Sequence, residues 1–338
     1  MSEPMECGVE VTRGTVVESR HRVHVAVVDA EGRLRAFAGD PDQVTFLRSA
    51  AKPFQALPLV DDGAYDRYGM TLEELALCCG SHSGSAAHVN VAGAILEKGA
   101  VTADALACGP HPPFDDEARR ALEEAGLEPG RLHNNCSGKH AGMMLLARAH
   151  GCEPEGYHRP EHLVQQRVLT EVARWTEVPP EAIALAVDGC GVSCFALPLR
   201  HMALGFARLA AAARAGERGP ATVVQAMTEH PEMVAGEGRI CTALMRLAAG
   251  RLFAKIGAEG VYCVGAPGAE LGIALKVEDG GSGRALAPAI LGVLRELNLI
   301  GEDDYGALHS FAYADVVNTR GEVVGQVRPA IHLRAPDA

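Results

Sequence analysis

Lysine is scarce in this chain of 338 residues: of 31 basic side chains only five are lysine, at positions 52, 98, 139, 255 and 276. Arginine supplies surface charge equally well but keeps its proton in any protein setting. A lysine retained among arginines is therefore a candidate for chemistry that needs a deprotonated amine. Basic runs and basic patches interleaved with aromatics are also lacking, and the formal net charge is −12. Such a surface repels phosphate backbones and anionic lipid, which argues against nucleic acid and membrane as partners. No uninterrupted apolar run approaches the ~18 residues of a membrane span. Residues 1–6 are acidic, where an export signal would place a basic segment ahead of an apolar one. The expected location is the cytoplasm, where the ten cysteines should be mostly reduced thiols. Cys78, Cys79 and Cys263 lie in apolar patterns and read as small buried hydrophobes.

The length exceeds that of a usual single core, so one large α/β domain with an insertion, or two domains, is expected. Alternating apolar positions, among them Val23, Val25 and Val27, predict a hairpin over residues 9–38 that turns at Asp29-Ala30-Glu31-Gly32. From 71 to about 252 the spacing changes to three and four, predicting helices over 71–79, 89–98, 116–125, 141–149, 161–175, 202–215 and 222–230. After Lys255 the period returns to two, with strands near 260–264, 271–277 and 323–327, a helix over 285–297 and a loose tail at 334–338. This order predicts an antiparallel sheet built from residues 1–48 and 255–338, a mostly helical domain over 49–254, and a site in the cleft between them.

Three lysines sit in segments suited to chemistry. Ser49 and Lys52, in Arg48-Ser49-Ala50-Ala51-Lys52-Pro53, stand three apart at a predicted helix start, close enough for an amine to serve a hydroxyl nucleophile. Ten serines and five lysines in 338 positions give about 0.15 such pairs by chance, and this is the only one. Burial beside Arg48 would lower the Lys52 amine through desolvation and like charge. Lys255-Ile256-Gly257 places a lysine on an apolar strand, where it faces a site if buried. Gly80-Ser81-His82-Ser83-Gly84 offers small residues and hydroxyls after a helix. Cys136 and Cys190 lie in polar, glycine-rich loops, and a mononuclear metal site could join them to Lys139, His140 or Asp188, although the spacing matches no standard structural zinc pattern.

These segments, with His133-Asn134-Asn135-Cys136-Ser137-Gly138-Lys139-His140, Asp188-Gly189-Cys190-Gly191 and Lys255-Ile256-Gly257-Ala258-Glu259-Gly260 in the same order, resemble the rhizobial-type L-asparaginase II family. The resemblance implies a fold like that of serine β-lactamases and serine-dependent glutaminases, an α/β (α+β) arrangement. It further implies hydrolysis of L-asparagine to aspartate and ammonia, a homodimer, and two Ser-Lys tandems carried by Ser49 with Lys52 and Ser81 with Lys255. A zinc ion bound by Cys136, Lys139 and Cys190 is implied as well. Ser193-Cys194 and the Gly236-Glu237-Gly238-Arg239-Ile240-Cys241 segment depart from the family pattern.

The mechanism expected from these readings has Ser49 attack the side-chain carboxamide while neutral Lys52 takes its proton, with Ser81 and Lys255 assisting water or exchanging roles with the first pair. Arg48 and Asp188 are the candidates for the α-carboxylate and α-ammonium of the substrate. Zinc would shape the site rather than generate the nucleophile. The alternatives are glutamine hydrolysis, acylation by a β-lactam or peptide, and noncatalytic binding of an amino acid or metal.

Overall fold

The computed structural model describes residues 7–336, without the side chains of Cys7 and Ser282; the acidic start, residues 1–6, and tail residues 337–338 lie outside the described residues. The strands are β1 (Cys7–Arg13), β2 (Val16–Asp29), β3 (Leu34–Ala38) and β4 (Val44–Phe46), then β5 (Ala184–Val187) and β6 (Ser193–Pro198), then β7 (Phe253–Ile256), β8 (Val261–Ala266) and β9 (Leu271–Val277), and finally β10 (Ala314–Val317) and β11 (Val323–Pro329).

The stretch predicted as one hairpin over residues 9–38 forms three strands, β1, β2 and β3, and the turn between β2 and β3 is held by Asp29, whose Oδ1 accepts the backbone N–H groups of Glu31 and Arg33. Seven strands follow the order β10-β11-β1-β2-β9-β8-β7, with β3 also on β2, and every pairing is antiparallel. The two ends of the chain thus share one sheet, as the alternation at both ends predicts. Val25 of β2 lies opposite Leu275 of β9, and both side chains are fully buried.

Helices Leu72–Cys78, Ala86–Lys98, Asp116–Ala125, Ser137–Ala149, Leu163–Thr176, Leu199–Arg214 and Arg218–Glu229 occupy the middle. The middle also holds a second sheet, β4-β6-β5, that periodicity did not reveal. All four residues of β5 are exposed, so no in-out alternation marks it. Helix Leu199–Arg214 packs against the helices on either side of it in sequence and also covers a face of the large sheet. Its buried Met202, Ala203, Phe206, Leu209 and Ala210 recur at spacings of three and four. The backbones touch there: a Cβ on Gly272 of β9 would lie 1.9 Å from the Ala203 carbonyl oxygen. The tail is better anchored than its composition predicts, because Phe37 and Arg334 exchange backbone hydrogen bonds of 2.9 and 2.8 Å. No helix among the described residues is long and apolar enough to cross a membrane.

Gly272→Ala is expected to destabilise the fold by about 1–3 kcal/mol, measured as a lower denaturation midpoint. Gly268→Ala, which would meet nothing within 4 Å, should leave the midpoint nearly unchanged.

A candidate active site around Ser81

A short turn, Arg48–Ala51, leads into helix Lys52–Asp61, whose first turn contains Pro53, a residue that needs no N–H partner there. Arg48 adopts a left-handed φ of 50°, which costs a non-glycine residue about 1–2 kcal/mol. Its Nε donates to Asp188 Oδ1 at 2.8 Å, an ion pair that ties the turn to the Asp188–Gly191 loop.

Lys52 is fully buried, and its amine turns away from its own helix start. It donates to the Gly80 carbonyl, to Ser81 Oγ at 2.9 Å and to the Asn135 carbonyl at 3.4 Å. Lys255, also fully buried on β7, places its amine 3.0 Å from the same Ser81 Oγ and 2.8 Å from the Ile256 carbonyl. Ser81 is therefore flanked by two amines, one from each part of the fold. The structure brings Lys52, Ser81 and Lys255 together. Ser49 stays half-buried in the adjoining turn, and among the described residues its hydroxyl has no hydrogen bond to Lys52.

The Ser81 loop is pinned from both sides. Ser81 N–H donates to the Val234 carbonyl at 2.8 Å, and His82 N–H to the Asn135 carbonyl at 3.2 Å. His82 Nδ1 accepts the Gly84 N–H, which leaves Nε2 to donate to Ser137 Oγ at 2.9 Å; Ser137 in turn donates to the Leu132 carbonyl. Burial holds the His82 imidazole well below its ordinary pKa, so the ring is neutral. The sequence marks this segment only as small and polar, and the contribution of His82 and Ser137 depends on a pairing across 55 positions.

Burial is the main cause that lowers both amines. Lys255 is brought down to about 7, with the Lys52 charge adding to the effect. Lys52 is lowered too, but the Cys136 sulfur opposes the shift. Lys52 also has three acceptors for its three N–H groups, the complement of an ammonium, whereas Lys255 has two.

Cys136, at the start of helix Ser137–Ala149, Lys139 in its first turn, and Cys190 between β5 and β6 form a buried cluster next to Lys52. Lys139 Nζ donates to Cys190 Sγ at 2.9 Å. A hydrogen bond from Cys190 draws the Cys136 thiol well below its ordinary range and raises Cys190 correspondingly. Nearby thiolate charge holds the Lys139 proton against the opposing effect of burial. Two sulfurs and one amine converging in this way are a donor set suited to zinc, once the thiol and ammonium protons leave. His140 is turned to Tyr157, with Nδ1 2.5 Å from the phenol oxygen, and Asp188 is occupied by Arg48. Among the described residues, no three His, Cys, Asp or Glu side chains are placed to hold a metal.

Comparison with known proteins gives one match over nearly the whole chain: the family model of L-asparaginase II covers residues 9–329. No curated protein sequence matches. Among solved structures, Mglu in its native form is similar at 17% identity and a TM-score of 0.47, over 83% of this chain and 66% of its own. The chain thus spans just under two thirds of that protein's length. Mglu in its glutamate form aligns at 18% identity and a TM-score of 0.38, over 85% of this chain and 65% of its own. A β-lactamase from Mycobacterium bovis aligns at 15% identity and a TM-score of 0.36, over 81% and 94%.

The depressed Lys255 amine has a measurable consequence for stability. Between about 7 and the ordinary 10.5 the folded protein holds fewer protons at Lys255 than the unfolded chain does. Stability from this group therefore rises with pH across that window. Denaturant unfolding of Lys255→Met is expected to show a pH slope lower than the parent's by up to about 1.4 kcal/mol per unit between pH 7.5 and 9.5. Parallel slopes would mean that Lys255 keeps its proton when folded.

Proposed function

We propose that this chain, which belongs to the L-asparaginase II family, is an amidohydrolase that releases ammonia from L-asparagine through an ester on Ser81. The observation that carries the reading is the Ser81 hydroxyl held 2.9 Å from one buried amine and 3.0 Å from a second. An alcohol is a poor nucleophile until a base removes its proton, and an amine poised near neutrality is an effective base at ordinary pH. Lys255, at about 7, takes that role. Lys52, with an ammonium's set of acceptors, holds the hydroxyl in place and faces the negative charge that develops on attack.

In the proposed sequence Ser81 Oγ attacks the carboxamide carbon as its proton passes to Lys255. The C–N bond then breaks, and Lys255 returns the proton to the departing nitrogen, which leaves as ammonia. Water attacks the ester carbon, gives its proton to Lys255, and the carboxylate product departs as Oγ is reprotonated. Ser49, half-buried beside Lys52, is the other nucleophile to weigh. Of the pair expected at the substrate's head group, Asp188 is assigned to the ammonium, and Arg48, bound to Asp188, holds that carboxylate in place. Glutamine is longer by one methylene, which a pocket discriminates by about 1–3 kcal/mol, so both amides belong in the assay.

Zinc on Cys136, Lys139 and Cys190 is proposed as a resident ion that would supply a fixed positive charge to the loops beside Lys52. Two copies of the chain are proposed to associate as a homodimer.

Ser81→Ala is expected to lower kcat for ammonia release by at least about 1000-fold, and rapid quenching of the parent should place the acyl mass on the peptide containing Ser81. Full turnover by Ser81→Ala together with loss in Ser49→Ala would transfer the role to Ser49. Because Lys255 must be deprotonated to act as base, kcat/KM should rise with pH through about 7, and Lys255→Arg should remove that limb. Plasma emission is expected to find about one zinc per chain, with less bound at acid pH, since Lys139 must lose a proton to ligate. Cys190→Ser should lose the metal and raise KM more than it lowers kcat.

A further inference from the structure

Resting on the reading above, we infer that Arg239 is a specificity-determining residue which, beside Phe114 and Ser83 at the rim of the Ser81 loop, recognises the α-carboxylate of the substrate. A zwitterionic amino acid meets at Arg48 and Asp188 a pair whose charges already cancel, with one guanidinium nitrogen spent on the carboxylate. Its own carboxylate needs a cation that is not yet committed.

Arg239 is such a cation. It is partly buried, and among the described residues no carboxylate, carbonyl or sulfur hydrogen-bonds to its guanidinium. Its guanidinium lies over the Phe114 ring, 5.5 Å from Arg239 Cζ to the ring centroid. Glu237, two residues before it, and Asp115, next to Phe114, are hydrogen-bonded elsewhere. Glu237 receives Arg246 at 2.6 Å, and Asp115 caps the helix that follows it through Ala118 N–H at 2.8 Å. A guanidinium stacked on an aromatic face keeps its in-plane N–H groups free for a planar anion.

The loop carrying Arg239 is pressed onto the Ser81 segment. Gly236 takes φ 113°, and a Cβ there would fall 2.4 Å from Ser83 Oγ. On the other side Asp115 N–H donates to the Ser83 carbonyl at 2.9 Å, which places Phe114 against the same residue. The loops that carry Arg239 and Phe114 therefore both meet the chain at Ser83. Ser83 Oγ, on a residue only 5% exposed, has no hydrogen-bond partner among the described residues. A buried hydroxyl with unused donor capacity two residues from the nucleophile suits a carboxylate oxygen. Arg239 also caps helix Ile240–Ala248, which has no acidic residue in its first turn, so the helix end adds positive potential and no competing anion.

The test compares ammonia release from L-asparagine with release from 3-aminopropanamide, which is asparagine with hydrogen in place of the carboxylate. Arg239→Gln is expected to raise KM for L-asparagine by about 10- to 100-fold, the range for a hydrogen bond between charged groups. Its kcat/KM on 3-aminopropanamide should change by less than about twofold, and Arg239→Lys should recover part of the loss. Equal losses on both substrates, or an unchanged KM for L-asparagine, overturns the assignment. Calorimetry on Ser81→Ala with L-aspartate separates this proposal from the hydrolase reading. Binding abolished by adding Arg239→Gln supports the carboxylate site even if the parent releases no ammonia, an outcome that would sink the hydrolase reading alone. Ammonia release with L-aspartate binding unaffected by Arg239→Gln keeps the hydrolase and removes the carboxylate site.

Discussion

Two amines cannot both remain protonated in a space from which water is excluded. Lys52 and Lys255 converge on one hydroxyl with no exposed surface between them, and like charge adds to desolvation in driving a proton off. The surroundings break the tie. Lys52 is met by two carbonyls and lies beside a sulfur that takes on negative charge, whereas Lys255 sits among apolar strand residues. The asymmetry that acid–base chemistry needs is therefore set by what lies behind each lysine rather than by the lysines themselves.

Behind Lys52 the charges alternate in sign through Cys136, Lys139, Asp188 and Arg48. Each member is buried or partly buried and is compensated by the next, which is how a polar cluster avoids the cost of isolated interior charge. The cluster also joins three loops: the turn at Arg48, the segment at Asn134–Cys136 and the turn at Asp188–Gly191. The strained φ of Arg48 is tolerated because the ion pair with Asp188 holds the turn in place.

Much of this was legible in the sequence. The helical period over 116–125 and the strand reading over 271–277 coincide with the observed helix and strand, the second being a short apolar run buried along nearly its whole length. The strand β5 was not legible, being exposed throughout. The lysines stood out by their rarity, and Ser81 by its small neighbours, but their partnership did not. Spacing along a helix suggested that Lys52 would serve Ser49, three positions away. In the fold the long side chain crosses instead to a loop 29 positions on, where Gly80 and Ser81 offer acceptors in a buried setting. Arg239 carried no motif, and its stacking on Phe114, 125 positions away, could not be read from spacing.

The large sheet also sets when the site can exist. Val25 of β2 pairs with a residue of β9 some 250 positions later in the chain, and Ser81 meets Lys255 across 174 positions. Closing loops of that length is slow, and during synthesis the early strands must wait for the late ones. The helical middle can collapse while the ribosome is still working, with Lys52 already near Ser81. The second amine arrives only with the closing strands, so in a nascent or clipped chain the Ser81 hydroxyl has no Lys255 beside it until the sheet is complete.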